Sequence, residues 1–172
     1  TDIETDFTAE EIVMTGRTPY QGRFEGTSAG DKEAVYRAFS LTKADKLKDK
    51  KFAVLSGGEK QKIVIARAVA QTTPWMLLDE PIASLDIKNQ IEIMKTLLEL
   101  NRQEGVSVLM VLHDINLAGI YCDRLIMLKD GQVIAAGNTN ECLCEENLKK
   151  LYDISFFHMD TKKGQRYYYA EI

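Results

Sequence analysis

Apolar positions recur at helical spacing between Asp31 and Ser40, where Val35, Ala38 and Phe39 share one side, so the Gly-, Lys- and Asp-rich stretch from Thr15 to Lys51 reads as a small, mainly helical layer. The pattern changes at Phe52. Ser56-Gly57-Gly58-Glu59 then opens an apolar segment through Ile63, Ile65, Ala66, Val69 and Ala70, and Ser56 followed three residues later by Glu59 is a capping-box pattern that predicts a helix start. Trp75 to Leu78 is a continuous apolar run that stops at Asp79-Glu80-Pro81, which predicts a strand buried on both faces of a parallel sheet. A long helix follows, with Ile87, Ile91, Met94 and Leu98 on its expected buried stripe and Gly105 as its stop.

Val106 to Leu112 reads as a second buried strand, and Ile115 to Cys122 as a helix. Arg124 to Leu128 and Val133 to Ala136 flank the turn signal Asp130-Gly131. The remainder predicts a helix from about Asn140 to Leu151 and a last hairpin, Phe156 to Met159 and Tyr167 to Ala170, around Lys163-Gly164. Alternating strands and helices define an α/β core. Composition shifts divide the chain at 1–51, 52–137 and 138–172.

With 172 residues, 45% of them hydrophobic, the chain is long enough to bury one substantial core. Its 26 acidic and 22 basic residues are interspersed and leave a net charge of -4, which argues against nucleic acid as a direct partner. No run approaches the roughly 20 apolar residues needed to cross a bilayer, and the start, Thr1 to Glu11, is acidic; a cytoplasmic location is expected, with docking on a membrane protein left open. Cys122, Cys142 and Cys144 are expected as reduced thiols. The Cys142-x-Cys144 pair with His158 downstream is a poorly spaced metal set.

Three clusters carry candidate chemistry. Leu55-Ser56-Gly57-Gly58-Glu59, with Gln61, places two glycines at a helix start, where N–H groups and the helix dipole attract an anion; a well-capped loop explains the same residues. Asp79 and Glu80 fall at a strand's carboxyl end, where one carboxylate can hold magnesium and the next polarise a water, or both can form a solvated turn. His113 ends a further strand and is either structural or a hydrogen-bonding group for a phosphate oxygen or water.

Taken in order, Leu55 to Glu59, the strand ending in Asp79-Glu80, Ser84-Leu85-Asp86, and His113 closely resemble the ABC ATPase family. The resemblance implies the C-terminal part of a P-loop NTPase domain, with a mainly parallel sheet, a helical subdomain and C-terminal β-hairpins. It implies that Leu55, Ser56, Gly57, Gly58, Glu59 and Gln61 form the signature motif, which contacts ATP held by the opposite subunit of a head-to-tail dimer. Asp79 corresponds to the Walker B aspartate that supports Mg2+, Glu80 to the catalytic base, Ser84, Leu85 and Asp86 to the D-loop, and His113 to the switch histidine. Ile82 departs from the family's usual threonine, which bears on local packing. Met14 to Pro19 and Val111 to Ala118 look most like importers of iron-siderophore complexes, haem or cobalamin, which implies transmembrane permease partners and a place on the inner face of the cell membrane.

A phosphate-cradling loop, Gly-x-x-x-x-Gly-Lys-Ser/Thr, is not found in the sequence; Gly26-Thr27-Ser28-Ala29-Gly30-Asp31-Lys32 has the wrong spacing and an aspartate where phosphate would be repelled. The resemblance places that loop, and a magnesium-sensing glutamine, ahead of Thr1. The expectation is a truncated fragment that holds no nucleotide alone and self-associates through exposed sheet edges. Alternative readings are a soluble ABC protein of DNA repair or translation, and a non-catalytic remnant.

Overall fold

The computed structural model describes residues 6–22, 26–162 and 164–171. The chain forms two compact units, Thr1–Val111 and Leu112–Ile172. The composition boundary at 51/52 falls inside the first and that at 137/138 inside the second.

In the first unit, α1 (Ala9–Met14), α2 (Ala29–Leu41) and α3 (Gly57–Ala70) enclose a core built on Val13, Val35, Phe39, Ile63, Ala66 and Ala70. Each helix begins with a capping box, at Thr8/Glu11, Ser28/Asp31 and Ser56/Glu59. The Gly26 to Lys32 segment is thus the start of α2 rather than a phosphate loop. Buried Asp31 accepts a hydrogen bond from Arg17 Nε at 2.9 Å, and Arg17 Nη1 also donates to Ala70 O at 2.8 Å, the last residue of α3. Gly16 lets this 3-10 turn (Thr15–Tyr20) approach α3, since a Cβ there would lie 2.3 Å from the Arg67 carbonyl oxygen.

Strands β1 (Trp75–Leu78) and β2 (Ser107–Met110) pair in parallel, Trp75 opposite Ser107 through Leu78 opposite Met110. They are joined through α4 (Ile87–Glu104), the crossover a parallel pair requires. Among the described residues this is the one parallel pairing. The sequence predicts a strand buried on both faces; instead Met76 is buried while Trp75 and Leu77 are 60% and 73% exposed, and Leu109 and Val111 are exposed beside them. Alternation sends Met76 inward, and no described element of the unit covers the other face.

Helix α4 stops at Gly105 in the left-handed conformation (φ 69°), as predicted. Its buried stripe is Ile93, Met94, Thr96, Leu97 and Leu100, and Ile87 is 74% exposed. The predicted stripe is therefore displaced. The helix carries apolar residues in two phases, and the one turned to the unit's interior is Ile93, Leu97 and Leu100.

The second unit holds α5 (Ile115–Tyr121), the antiparallel pair β3 (Arg124–Lys129) and β4 (Gln132–Asn138), helices α6 (Thr139–Cys142) and α7 (Glu145–Tyr152), and the pair β5 (Phe156–Asp160) and β6 (Arg166–Ala170). Asp130 and Gly131, at φ 50° and 75°, supply the predicted tight turn. The single helix predicted from Asn140 to Leu151 is two, because a break at Leu143 and Cys144 lets Cys142, Leu143 and Leu148 all reach one core with Phe156 and Tyr168. In the last turn Gly164 is left-handed (φ 75°), while Lys163 lies outside the described residues. Among the described residues no helix is long and apolar enough to cross a membrane.

Candidate functional site

The start of α3 is built by local hydrogen bonds. Ser56 N–H and Oγ donate to Glu59 Oε2, both at 2.9 Å, and Ser56 Oγ accepts from Glu59 N–H at 3.4 Å. The Ser56 N–H is the main cause holding the Glu59 carboxyl below its usual range. Gly57 and Gly58 are the first two helical residues, whose amides have no intrahelical acceptor. The exposed Gly57 amide beside the exposed Ser56 hydroxyl fits a phosphate oxygen, while Gly58 is buried. Leu55 does not line this surface: at 6% exposure it belongs to the core and anchors the loop from beneath. Gln61, half-buried, lies on the first turns of α3.

Asp79 and Glu80 follow β1 at its carboxyl end and are exposed. Glu80 has φ 46° and Ser84 φ 61°, so two non-glycine residues within five positions adopt left-handed backbone. Such conformations cost free energy and persist where the surroundings enforce them. Here Ala83 N–H donates to Glu80 O at 3.1 Å and Leu85 N–H to Ile82 O at 3.4 Å, while Ile82 is buried. The isoleucine that departs from the family pattern therefore packs inward under the turn. An exposed carboxylate pair at this place is a donor set suited to magnesium and water.

Asp86 caps α4. Its Oδ1 accepts from Asn89 N–H and its Oδ2 from Asn89 Nδ2, both at 2.8 Å, and the Asn89 N–H is the main cause holding the Asp86 carboxyl below its usual range. Asn89 in turn fills the space above Gly58, where a Cβ would lie 2.4 Å from Asn89 Oδ1. Gly57 faces Leu85 in the same way, its notional Cβ 3.7 Å from Leu85 Cδ2. Leu55 to Glu59 and Ser84 to Asp86 are thereby brought into contact. Sequence reasoning missed Asn89; its place three residues after a capping aspartate was the available signal.

In the second unit exposed His113 precedes Asp114, whose Oδ1 accepts from Asn116 N–H at 2.8 Å and Leu117 N–H at 2.9 Å to cap α5. Of the cysteines, Cys142 is buried with Sγ 3.8 Å from Leu125 O, and burial pushes Cys122 up to about 11. Among the described residues no group of three potential metal ligands converges.

Residues 3–83 match the family model described as ABC transporter. The chain is 39% identical over 155 residues to the ferric enterobactin transport ATP-binding protein FepC of Escherichia coli (strain K12), covering 90% of this chain and 57% of that protein. It is 37% identical over 151 residues to the cobalamin import ATP-binding protein BtuD of Halobacterium salinarum (strain ATCC 29341 / DSM 671 / R1), covering 88% and 37%. The chain thus spans little more than half of the first of these relatives, and less of the second. Among solved structures, a metal-chelate type ABC transporter in an inward-facing conformation superposes with a TM-score of 0.91 at 26% identity, over 96% of this chain and 68% of that one. The dimeric ATP-binding cassette MJ0796 bound to ADP and Pi gives 0.63 at 32% identity, over 77% and 57%. Residues 3–83 thus match the ABC transporter family, and the chain as a whole is similar to ATP-binding proteins of such transporters.

Proposed function

We propose that the chain is part of the ATP-hydrolysing subunit of an importer for iron-siderophore complexes, haem or cobalamin, working with a second ATPase subunit and transmembrane permease partners on the cytoplasmic face of the membrane. Relatives named for ferric enterobactin and cobalamin import support the cargo class. The observation that carries the catalytic reading is the acidic pair Asp79-Glu80 leaving a parallel strand through a left-handed residue.

Ser56 and Gly57 present a hydroxyl and an amide to a terminal phosphate bound on the opposing subunit, with Gly58, Glu59 and Gln61 behind them. Asp79 supports Mg2+, Glu80 orients and polarises the attacking water, and His113 hydrogen-bonds a phosphate oxygen or that water. Ser84, Leu85 and Asp86 hold the loop against the α3 start. Magnesium, when bound, neutralises charge on the phosphates; the protein's own task is positioning. Since the 172 residues contain no phosphate-cradling loop, they do not retain Mg-ATP or turn it over by themselves.

The test is turnover in an assembly that supplies that loop to this chain. Glu80→Gln is expected to lower the rate by roughly 10²- to 10⁴-fold with nucleotide binding retained. A variant with undiminished turnover removes Glu80 from the role. The exposed face of Trp75, Leu77, Leu109 and Val111 supports self-association of the chain at high concentration. Light scattering that stays monomeric there counts against it.

A further inference from the structure

The backbone that leaves His113 runs directly into α5, and the first turn of that helix is tied down twice. Asp114 caps it from the N-terminal side. From the other side, half-buried Asn116 turns its amide to β6: Nδ2 donates to Tyr168 O at 3.0 Å, and Oδ1 accepts from Tyr168 N–H at 2.8 Å. One side chain thus takes both backbone polar groups of one strand residue, groups that an edge strand otherwise presents unpaired. Tyr168 is itself fixed. Its ring is buried with Leu148 and Phe156, its hydroxyl donates to Leu143 O, and β6 is paired to β5 along five residues. The first turn of α5 therefore cannot rotate or slide without leaving two polar groups of Tyr168 unsatisfied.

We infer that Asn116 is a positioning residue: through its two-point clamp on Tyr168, the hairpin β5–β6 acts as a splint that fixes the start of α5 and so the segment presenting His113. The inference rests on the proposed role of His113, and it assigns the C-terminal hairpin a part in catalysis without contact to nucleotide.

The test uses the whole 172-residue chain and NMR. His113 and His158 are its two histidines. His158 sits on β5 opposite Tyr168, its ring centroid 5.9 Å from that of Tyr168, and therefore reports on the hairpin itself. Asn116→Ala is expected to shift or broaden the His113 ring resonance, leave the amides of α3 unchanged as a reference, and speed amide exchange at Leu117 and Ala118 by roughly tenfold, the size of effect that follows from losing a hydrogen bond or two. Asn116→Asp keeps an acceptor for Tyr168 N–H and loses the donor to Tyr168 O. It is expected to fall between the two, and it stands in if the alanine variant does not fold. Loss of protection at Tyr168 alone, with His113, Leu117 and Ala118 unchanged, overturns the inference and leaves Asn116 as a peg for the hairpin. A separate turnover assay of His113→Ala, in an assembly that supplies the phosphate-cradling loop, keeps the two readings apart: unchanged turnover there sinks the role of His113, while the NMR result still decides whether Asn116 orders it.

Discussion

Ser56 and Gly58 are held by their own helix and by the adjoining cap of α4, whereas the segment after His113 depends on a side chain that reaches a strand 52 positions further along the chain. The first region is organised by backbone: two capped helix starts, a glycine too crowded for a Cβ, and two left-handed residues. The second is organised by the Asp114 cap and by the Asn116 amide. Main-chain N–H groups that are to meet an anion need a fixed backbone, and a side chain carried just ahead of a helix needs the helix start held.

Breaking the first region should cost most at Gly58. An alanine there must displace Asn89 from Asp86 or shift α3, and a loss of about 1–3 kcal/mol is expected in urea unfolding. Stability unchanged by Gly58→Ala would mean that the contact between the two helix starts carries no constraint. Ser56→Ala removes the cap of α3 and should cost about 1 kcal/mol by the same assay; a neutral result would assign the helix start to tertiary packing alone.

Ser84→Gly is predicted to act in the opposite direction. Relief of the left-handed backbone favours the folded state by up to about 1 kcal/mol, partly offset by the added freedom of the unfolded chain. A destabilised glycine variant would show that the Ser84 side chain, rather than its neighbours, holds the turn.

The smallest effect is in pH. Glu59 is held below its usual value of 4.5 by the Ser56 N–H, so the stability it contributes is complete above that value and is lost as pH falls through the folded one. Glu59→Gln should therefore flatten the acid limb of the unfolding midpoint below about pH 4.5 and leave the neutral region nearly level. An acid limb identical to the parent's would place the sensitivity on other carboxylates, such as Asp31 against Arg17.

Much of the first region was legible in sequence, because the Ser56–Glu59 capping box, the Gly105 stop and the acids after a short apolar run are local signals. The faces were less legible. Ile87, Ile91, Met94 and Leu98 and the competing Ile93, Leu97 and Leu100 are both helically spaced, and only packing chooses between them. Exposure of Trp75 and Leu77 depends on what lies over a sheet, which alternation does not encode. Contacts such as Asn116 with Tyr168, or Asn89 with Gly58, join residues that no periodicity relates.

The proposed function has these 172 residues offer the start of α3 and the acidic pair Asp79-Glu80 to a nucleotide whose phosphates are cradled elsewhere. Calorimetric titration of Mg-ATP into the purified chain, with Asp79→Ala as control, tests this most directly. The account predicts no saturable heat from either protein; saturable binding by the parent that disappears in Asp79→Ala would show a phosphate site within the chain and contradict it.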